Sequence, residues 1–98
     1  MLERDYQAAL IKRIKRKFPG SVVLKNDTSY IQGIPDLTVL FNERWGVLEA
    51  KRSANEEPRP NQEYYVDLLD QMSFGSFIHP ENEEEVLDEL QRSWELRW

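Results

Sequence analysis

The residues of this sequence that could do chemistry together are two carboxylates and a lysine, Asp36, Glu49 and Lys51. Glu49 and Lys51 are two residues apart in a hydrophobic stretch, and side chains alternate across a strand, so these two share one face. A tight turn at residues 42–44 would fold the flanking strands into an antiparallel hairpin with Asp36 across from them. Such a charged cluster within apolar strands is costly unless a cation or a partner compensates it.

The chemistry that this cluster supports is metal-assisted hydrolysis. Carboxylate oxygens suit Mg²⁺ or Mn²⁺, which make water a better nucleophile and stabilise charge on a phosphate. The lysine can act on the attacking water or stabilise the transition state. A Glu-x-Lys pair alone is more often an ion pair on an edge strand. The preceding Gly33-Ile34-Pro35-Asp36 makes the combination more specific, because Gly permits unusual dihedral angles and Pro pre-sets the entry to a strand.

Several other kinds of site are excluded by composition. There are no cysteines, which rules out disulfides, thiolate zinc sites and a cysteine nucleophile. A single histidine, His79, cannot supply a two-histidine metal site, and we expect it to be structural. No Gly-rich phosphate loop is present. The charged start and the lack of a long apolar run predict an intracellular, cytoplasmic protein without a membrane partner.

The hydropathy pattern predicts one α/β domain over residues 1–98, because three strands and a fourth alternate with helices. The predicted elements are a helix over 2–18, strands over 21–25, 36–41 and 45–51, a helix over 61–72, a strand over 75–78, and a last helix with Pro80 in its first turn. The expected buried positions are Leu2, Tyr6, Leu10, Ile14 and Phe18 in the first helix, Tyr65, Leu68, Leu69 and Met72 in the second, and Val86, Leu87, Leu90 and Trp94 in the third.

The distribution of charge leaves room for a nucleic-acid partner despite a net charge of -5. Basic residues concentrate in the first sixty positions and acidic residues in the last third, so a local basic face can still meet phosphate. The first helix could equally present its basic residues to solvent alone. The predicted DNA-binding residues are Lys12, Lys15, Arg16, Lys25 and Arg52.

Gly33-Ile34-Pro35-Asp36 followed by Glu49-Ala50-Lys51 resembles the PD-(D/E)XK nuclease superfamily. Within it, the chain is most similar to stand-alone VRR-NUC domains of phage and bacterial origin, over nearly its whole length. The resemblance implies a restriction-endonuclease-like core, in which a small mixed sheet is flanked by helices. It also implies a set of site residues: metal ligands Glu3, Asp36, Glu49 and the backbone carbonyl of Ala50, the catalytic Lys51, and Gln62, which would position the lysine or the substrate strand.

The function predicted from this resemblance is a Mg²⁺-dependent, structure-selective DNA endonuclease. Small members of the family resemble Holliday-junction resolvases, and symmetric resolution of a junction needs two sites, which predicts a homodimer. The aromatic residues Tyr30, Trp45, Trp94 and Trp98 could form the dimer interface or complete the core. The alternatives are a monomeric flap or nicking nuclease, a non-catalytic DNA- or protein-binding module, and an acidic adaptor whose helix over 81–89 binds a basic partner.

Overall fold

The computed structural model describes residues 1–95 and has helices and strands in the predicted order. The elements are α1 (Glu3–Lys17), β1 (Val22–Lys25), β2 (Leu37–Phe41), β3 (Arg44–Ala50), α2 (Gln62–Met72), β4 (Gly75–Ile78) and α3 (Glu83–Glu95). In the part of the chain so described, no helix has the length and apolar character needed to cross a membrane. Trp98 lies outside the described residues.

The four strands form one mixed sheet in the order β1-β2-β3-β4. The first three are antiparallel neighbours, whereas β4 runs parallel to β3, since α2 carries the chain back between them. The predicted hairpin is confirmed, and Asn42 adopts a left-handed conformation (φ 57°) in its turn. Leu37 pairs with Leu48 across the hairpin, and continuing this register by one residue sets Asp36 opposite Glu49.

The two faces of the sheet are covered by different helices. Leu48 and Ala50 of β3 share one hydrophobic cluster with residues of α1 and α3, so these two helices pack on that face. Glu49 points to the opposite face and meets α2 through a hydrogen bond from Gln62. The backbone of α2 lies close to that face, because a Cβ added to Gly75 of β4 would stand 2.7 Å from the Val66 carbonyl oxygen. Glu49 is therefore buried between β3 and α2.

The predicted buried positions are confirmed for the first and last helices, with one exception. Leu2 is exposed, since it precedes α1 as the N-cap residue instead of joining its apolar stripe. The prediction for α2 holds only in part: Tyr65, Leu68 and Leu69 are half-buried, Met72 is exposed, and the buried residues are Gln62 and Val66. This helix turns its Gln62 side to the sheet, where the amide bonds the buried Glu49.

The last helix begins at Glu83, so the prediction that Pro80 lies in its first turn is also wrong. Asn82 explains the shift, because its side-chain Oδ1 accepts a hydrogen bond from the His79 backbone N–H at 2.8 Å. The Asn82 carbonyl then accepts the bond from the Val86 N–H at 2.9 Å. Pro80 therefore belongs to the turn that precedes the helix.

A buried carboxylate ties α3 to α1. Glu83 is 6% exposed, accepts a hydrogen bond from the Tyr6 hydroxyl at 2.8 Å and lies 2.7 Å from the Arg13 Nε. A second pair joins the same helices at the surface, where the Lys17 Nζ lies 2.6 Å from an Asp88 oxygen. Only the first pair includes a buried charge.

Arg13→Ala is expected to lower the free energy of unfolding by about 1–2 kcal/mol, because it leaves the buried Glu83 carboxylate with a neutral partner only. Lys17→Ala removes the exposed pair and should lower it by less than about 1 kcal/mol. Urea denaturation of the two variants beside the wild type measures the difference. Equal losses of unfolding free energy in the two variants would show that the burial of Glu83 does not strengthen its pair with Arg13.

Candidate active site

Three carboxylates from three separate elements converge at one end of the hairpin. Glu3 is the first residue of α1, Asp36 immediately precedes β2, and Glu49 lies in β3. One oxygen of each carboxylate lies within 4.8 Å of those of the other two. The structure thus brings together the three side chains that the sequence predicted as metal ligands.

Lys51 and Gln62 form a buried chain of hydrogen bonds that ends on Glu49. Lys51 is 3% exposed, and its Nζ donates to the Gln62 Oε1 at 2.7 Å. The Gln62 Nε2 donates in turn to the Glu49 Oε2 at 3.0 Å. The backbone N–H of Arg59 also donates to the Gln62 Oε1 at 2.7 Å, which fixes the orientation of the amide. Gln62 therefore fixes the position of the Lys51 ammonium relative to the Glu49 carboxylate.

Asp36 is positioned by the backbone on both sides of it. The Ala50 N–H donates to the Asp36 Oδ2 at 3.3 Å. The Asn26 side-chain amide donates to the Pro35 carbonyl at 2.8 Å and to the Thr38 Oγ1 at 2.9 Å, which anchors the chain where it enters β2. The role of the Ala50 carbonyl as a metal ligand stays a prediction.

The site holds more negative charge than its surroundings compensate. Burial, and then the adjacent Asp36 carboxylate, raises the pKa of Glu49 well above its ordinary value. Burial, followed by the charges of Glu56 and Asp36, also raises the pKa of Glu3. The Glu49 Oε1 is buried and has no hydrogen-bond partner in residues 1–95. A set of oxygen donors with one buried, unpartnered oxygen fits a hard divalent cation such as Mg²⁺ or Mn²⁺.

We expect the metal-free protein to become less stable as the pH rises from about 5 to about 8. The folded state keeps a proton on Glu49 over a range in which the unfolded chain has lost it, so raising the pH favours unfolding. One such group contributes at most about 1.4 kcal/mol per pH unit.

Thermal unfolding with chelator and with Mg²⁺ across this pH range measures the effect. Mg²⁺ should raise the melting temperature most at the alkaline end, where the carboxylates lose their protons most readily. Glu49→Gln should flatten the pH profile of the chelated protein. A wild-type profile as flat as that of Glu49→Gln would contradict the expectation.

The carboxylates lie in a cleft of about 210 Å³ between two loops. Thr28 and Gln32 line it from the loop over residues 26–36, and Arg59 and Pro60 line it from the segment that precedes α2. Sequence reasoning did not single out Arg59. The available signal was its position between two prolines, three residues before Gln62.

The five predicted DNA-binding residues do not line this cleft. Lys12, Lys15 and Arg16 are exposed on α1, and no carboxylate of residues 1–95 forms an ion pair with them. Lys25 ends β1, directly before the loop that borders the cleft. Arg52 follows Lys51, and its Nε lies 3.2 Å from a Glu56 oxygen. Their contact with DNA stays a prediction.

The single histidine and the aromatic residues considered for a dimer interface lie in different environments. The His79 Nδ1 lies 3.2 Å from a Glu81 oxygen, and His79 does not line the cleft. Trp94 is buried in the core, edge-on to Phe18, and its indole N–H donates to the Trp45 carbonyl. Trp94 thus completes the core. Tyr30 differs sharply, since it is 84% exposed on the loop beside the cleft.

Comparisons with known proteins agree with this architecture. A search of solved structures matches a chain described as a VRR_NUC domain with probability 1.00 and a TM-score of 0.57. The match covers 93% of this chain and 96% of that chain, at 21% sequence identity. Neither the protein-family models nor the curated proteins contain a match to this sequence. The fold predicted from the sequence is confirmed: this chain has the restriction-endonuclease-like fold of a VRR_NUC domain.

Proposed function

We propose that this protein is a metal-dependent, structure-selective DNA endonuclease, and that it acts in the cytoplasm as a homodimeric Holliday-junction resolvase of the stand-alone type. The observation that carries the proposal is the convergence of Glu3, Asp36 and Glu49 in a cleft, with the buried Lys51 joined to Glu49 through Gln62. A scaffold needs no buried lysine beside three clustered acids, since each buried charge costs free energy. Hydrolysis of a phosphodiester uses both the lysine and the acids, the lysine to stabilise charge on the phosphate and the acids to hold a cation.

The division of labour follows from the hydrogen bonds. Glu3, Asp36 and Glu49, with the Ala50 carbonyl, would hold the cation, which when bound supplies Lewis-acid activation of water and of a phosphate oxygen. Lys51 would place its ammonium against the charge that develops on the phosphate in the transition state. Gln62 would keep the ammonium in place, because its carbonyl oxygen accepts a hydrogen bond from the Lys51 Nζ while its amide N–H donates to Glu49.

The DNA would be held by basic residues outside the cleft, namely Lys12, Lys15, Arg16, Lys25 and Arg52. Because the net charge is -5, binding should be modest and sensitive to salt unless two chains combine their basic faces. One such site would cut one strand. Two related by a two-fold axis would cut opposite strands of a four-way junction.

Cleavage of a labelled four-way junction, beside a flap and a linear duplex, tests the proposal. We expect symmetric nicks on opposite strands in Mg²⁺, and none with chelator or in Lys51→Ala. Cleavage of the flap by a monomer would support the flap or nicking nuclease instead. Binding without cleavage in Mg²⁺ and in Mn²⁺ would replace the proposal by a DNA-binding module. Binding to a basic peptide, but not to DNA, would favour the adaptor.

Gln62→Ala is expected to lower the cleavage rate by about 10- to 100-fold, the usual cost of removing a group that orients a ligand or a catalytic side chain. Gln71→Ala is the matched control, since Gln71 is exposed on the same helix. Single-turnover rates of both variants at saturating Mg²⁺ provide the measurement. A Gln62→Ala rate equal to that of Gln71→Ala would show that Lys51 needs no such support.

A further inference from the structure

Tyr30 is an exposed aromatic side chain outside the hydrophobic core. It is 84% exposed, the highest value among the exposed large hydrophobic side chains of residues 1–95. None of the aromatic rings in residues 1–95 stacks on it. A ring this exposed does not stabilise the core. Its position in the loop therefore bears on what it could bind.

The backbone that carries Tyr30 is held by local hydrogen bonds. The Asp27 Oδ1 accepts bonds from the Ser29 N–H at 2.9 Å and from the Ser29 hydroxyl at 2.6 Å. The Tyr30 N–H donates to the Asp27 carbonyl at 3.3 Å, and the Asn26 N–H donates to the Asp36 carbonyl at 2.7 Å. The ring therefore stands on an ordered turn, which lowers the entropic cost of binding something on it.

The same turn forms one side of the carboxylate cleft. Thr28 and Gln32, two residues before and two residues after Tyr30, both line it. The loop also touches the opposite side, since a Cβ added to Gly33 would stand 2.6 Å from the Asn61 Cβ. Tyr30 itself does not line the cleft, but it lies on the same turn, between two residues that do. On the proposed function, a DNA strand that brings a phosphate to Asp36 passes beside this turn.

The chemistry of the segment over residues 26–35 favours a base over a phosphate. Asp27 is the only charged residue between positions 26 and 35, and it is negative, so the turn offers phosphate no cation. An exposed aromatic ring binds the π-face of a base, with little preference among the four bases. In a continuous duplex each base face is covered by its neighbours, whereas a base at a branch point or in a single strand leaves a face free.

We propose that Tyr30 binds an unstacked base beside the cleft and so selects DNA that is branched or single-stranded next to the scissile phosphate. The inference rests on the proposed nuclease function and adds to it a residue that recognises substrate structure. Each chain would then recognise branched or single-stranded DNA through its own Tyr30, whether or not the protein forms a dimer.

Binding of fluorescein-labelled forked DNA and of a continuous duplex of the same sequence tests the inference. The measurements use a Lys51→Ala background in Mg²⁺ at one fixed salt concentration, so that the DNA stays whole. Tyr30→Ala should weaken binding to the fork by about 5- to 150-fold, the range for loss of one stacked base. Binding to the duplex should change less than about twofold, since no base face is free there. Tyr30→Phe should bind the fork as the Lys51→Ala parent does, because it keeps the ring.

Tyr64→Ala is the matched control. Tyr64 is also an exposed tyrosine, but it lies on α2 two residues from the buried Gln62, on the side of the helix turned away from the sheet. A 2-aminopurine placed at the first unpaired position of the fork gives a second readout, since its fluorescence is quenched when it stacks. The quench on binding should vanish in Tyr30→Ala and persist in Tyr64→Ala.

The inference is overturned if Tyr30→Ala binds the fork as the parent does, if Tyr64→Ala loses as much, or if Tyr30→Phe loses as much as Tyr30→Ala. These outcomes are separable from failure of the nuclease function. A protein that cuts junctions in Mg²⁺ but shows no Tyr30 effect keeps the function and loses the inference. A fork-specific Tyr30 effect in a protein that never cuts keeps the stacking role and loses the nuclease.

Discussion

Asp36→Asn is expected to lower the rate of DNA cleavage by about 10³-fold or more while the protein remains folded. Asp36 shares the carboxylate cluster with Glu3 and Glu49, so its loss removes one of the three charges that would hold the cation. The amide keeps the size of the side chain and an oxygen that can still accept the bond from the Ala50 N–H. The loss should therefore fall on chemistry and leave the fold unchanged.

The same substitution is expected to stabilise the metal-free protein. The Asp36 charge is one of the causes that raise the pKa of Glu49, so neutralising it lets Glu49 ionise at lower free-energy cost. With chelator, the melting temperature of Asp36→Asn should exceed that of the wild type as the pH rises toward about 9, because Glu49 ionises in the folded variant at a lower pH than in the folded wild type. A gain in stability with a loss of activity is the signature of a functional site.

Asp67→Asn is the control, since Asp67 is exposed on α2 and does not line the cleft. It should leave both the cleavage rate and the pH profile of unfolding near wild type. Single-turnover cleavage and thermal unfolding of the two variants give the comparison. An Asp36→Asn protein with wild-type cleavage would remove this residue from the active site.

Gly33→Ala is expected to disrupt the cleft, with cleavage reduced by about 10²-fold or more, since small misplacements of catalytic groups carry costs of this order. Gly33 has a φ of 92°, a left-handed value that disfavours any side chain. An added Cβ would also stand 2.6 Å from the Asn61 Cβ and 2.7 Å from the Asn61 carbonyl carbon. Asn61 is itself left-handed, with a φ of 69°, so it has little room to move away.

Gly20→Ala separates the two causes of this effect. Gly20 has nearly the same φ, 91°, but nothing lies within 4 Å of an added Cβ. Backbone strain alone should cost about 1–2 kcal/mol of stability there, and cleavage should persist. Urea denaturation and cleavage rates of both variants test the contrast. Equal behaviour of the two would show that the contact between the 26–36 loop and Asn61 does not shape the cleft.

The sequence alone determined the elements and the hairpin that places the central pair of acids. The four-residue spacing of apolar positions identified α1, and two hydrophobic runs joined by a tight turn identified β2 and β3, because these patterns depend only on local geometry. The short turn at Asn42 leaves one antiparallel register, which sets Asp36 opposite Glu49. The fold prediction rested further on the resemblance carried by Gly33-Ile34-Pro35-Asp36 and Glu49-Ala50-Lys51, and the structural match confirms it at the level of fold.

The orientation of α2 shows where local patterns fail. Its apolar spacing predicted a buried stripe of Tyr65, Leu68, Leu69 and Met72. The first three are half-buried and Met72 is exposed, whereas Gln62 and Val66 are buried. The polar Gln62 is buried because it accepts a hydrogen bond from Lys51 and donates one to Glu49. A hydropathy pattern contains no information about such hydrogen-bond partners. The start of α3 was misjudged for a similar reason, since the Asn82 side chain closes the preceding turn.

Only the tertiary structure brought Glu3 close to Asp36 and Glu49. It also buried the Lys51 side chain, where the ammonium donates to Gln62. It placed Arg59 in the lining of the same cleft and Tyr30 on the loop beside it. These relations join segments far apart in the chain, and they depend on how α1 and α2 pack on opposite faces of the sheet. Periodicity and turn chemistry act over a few residues, so they determine which elements form. The convergence of distant side chains depends on packing, because the free energy of burying each face decides which surfaces meet.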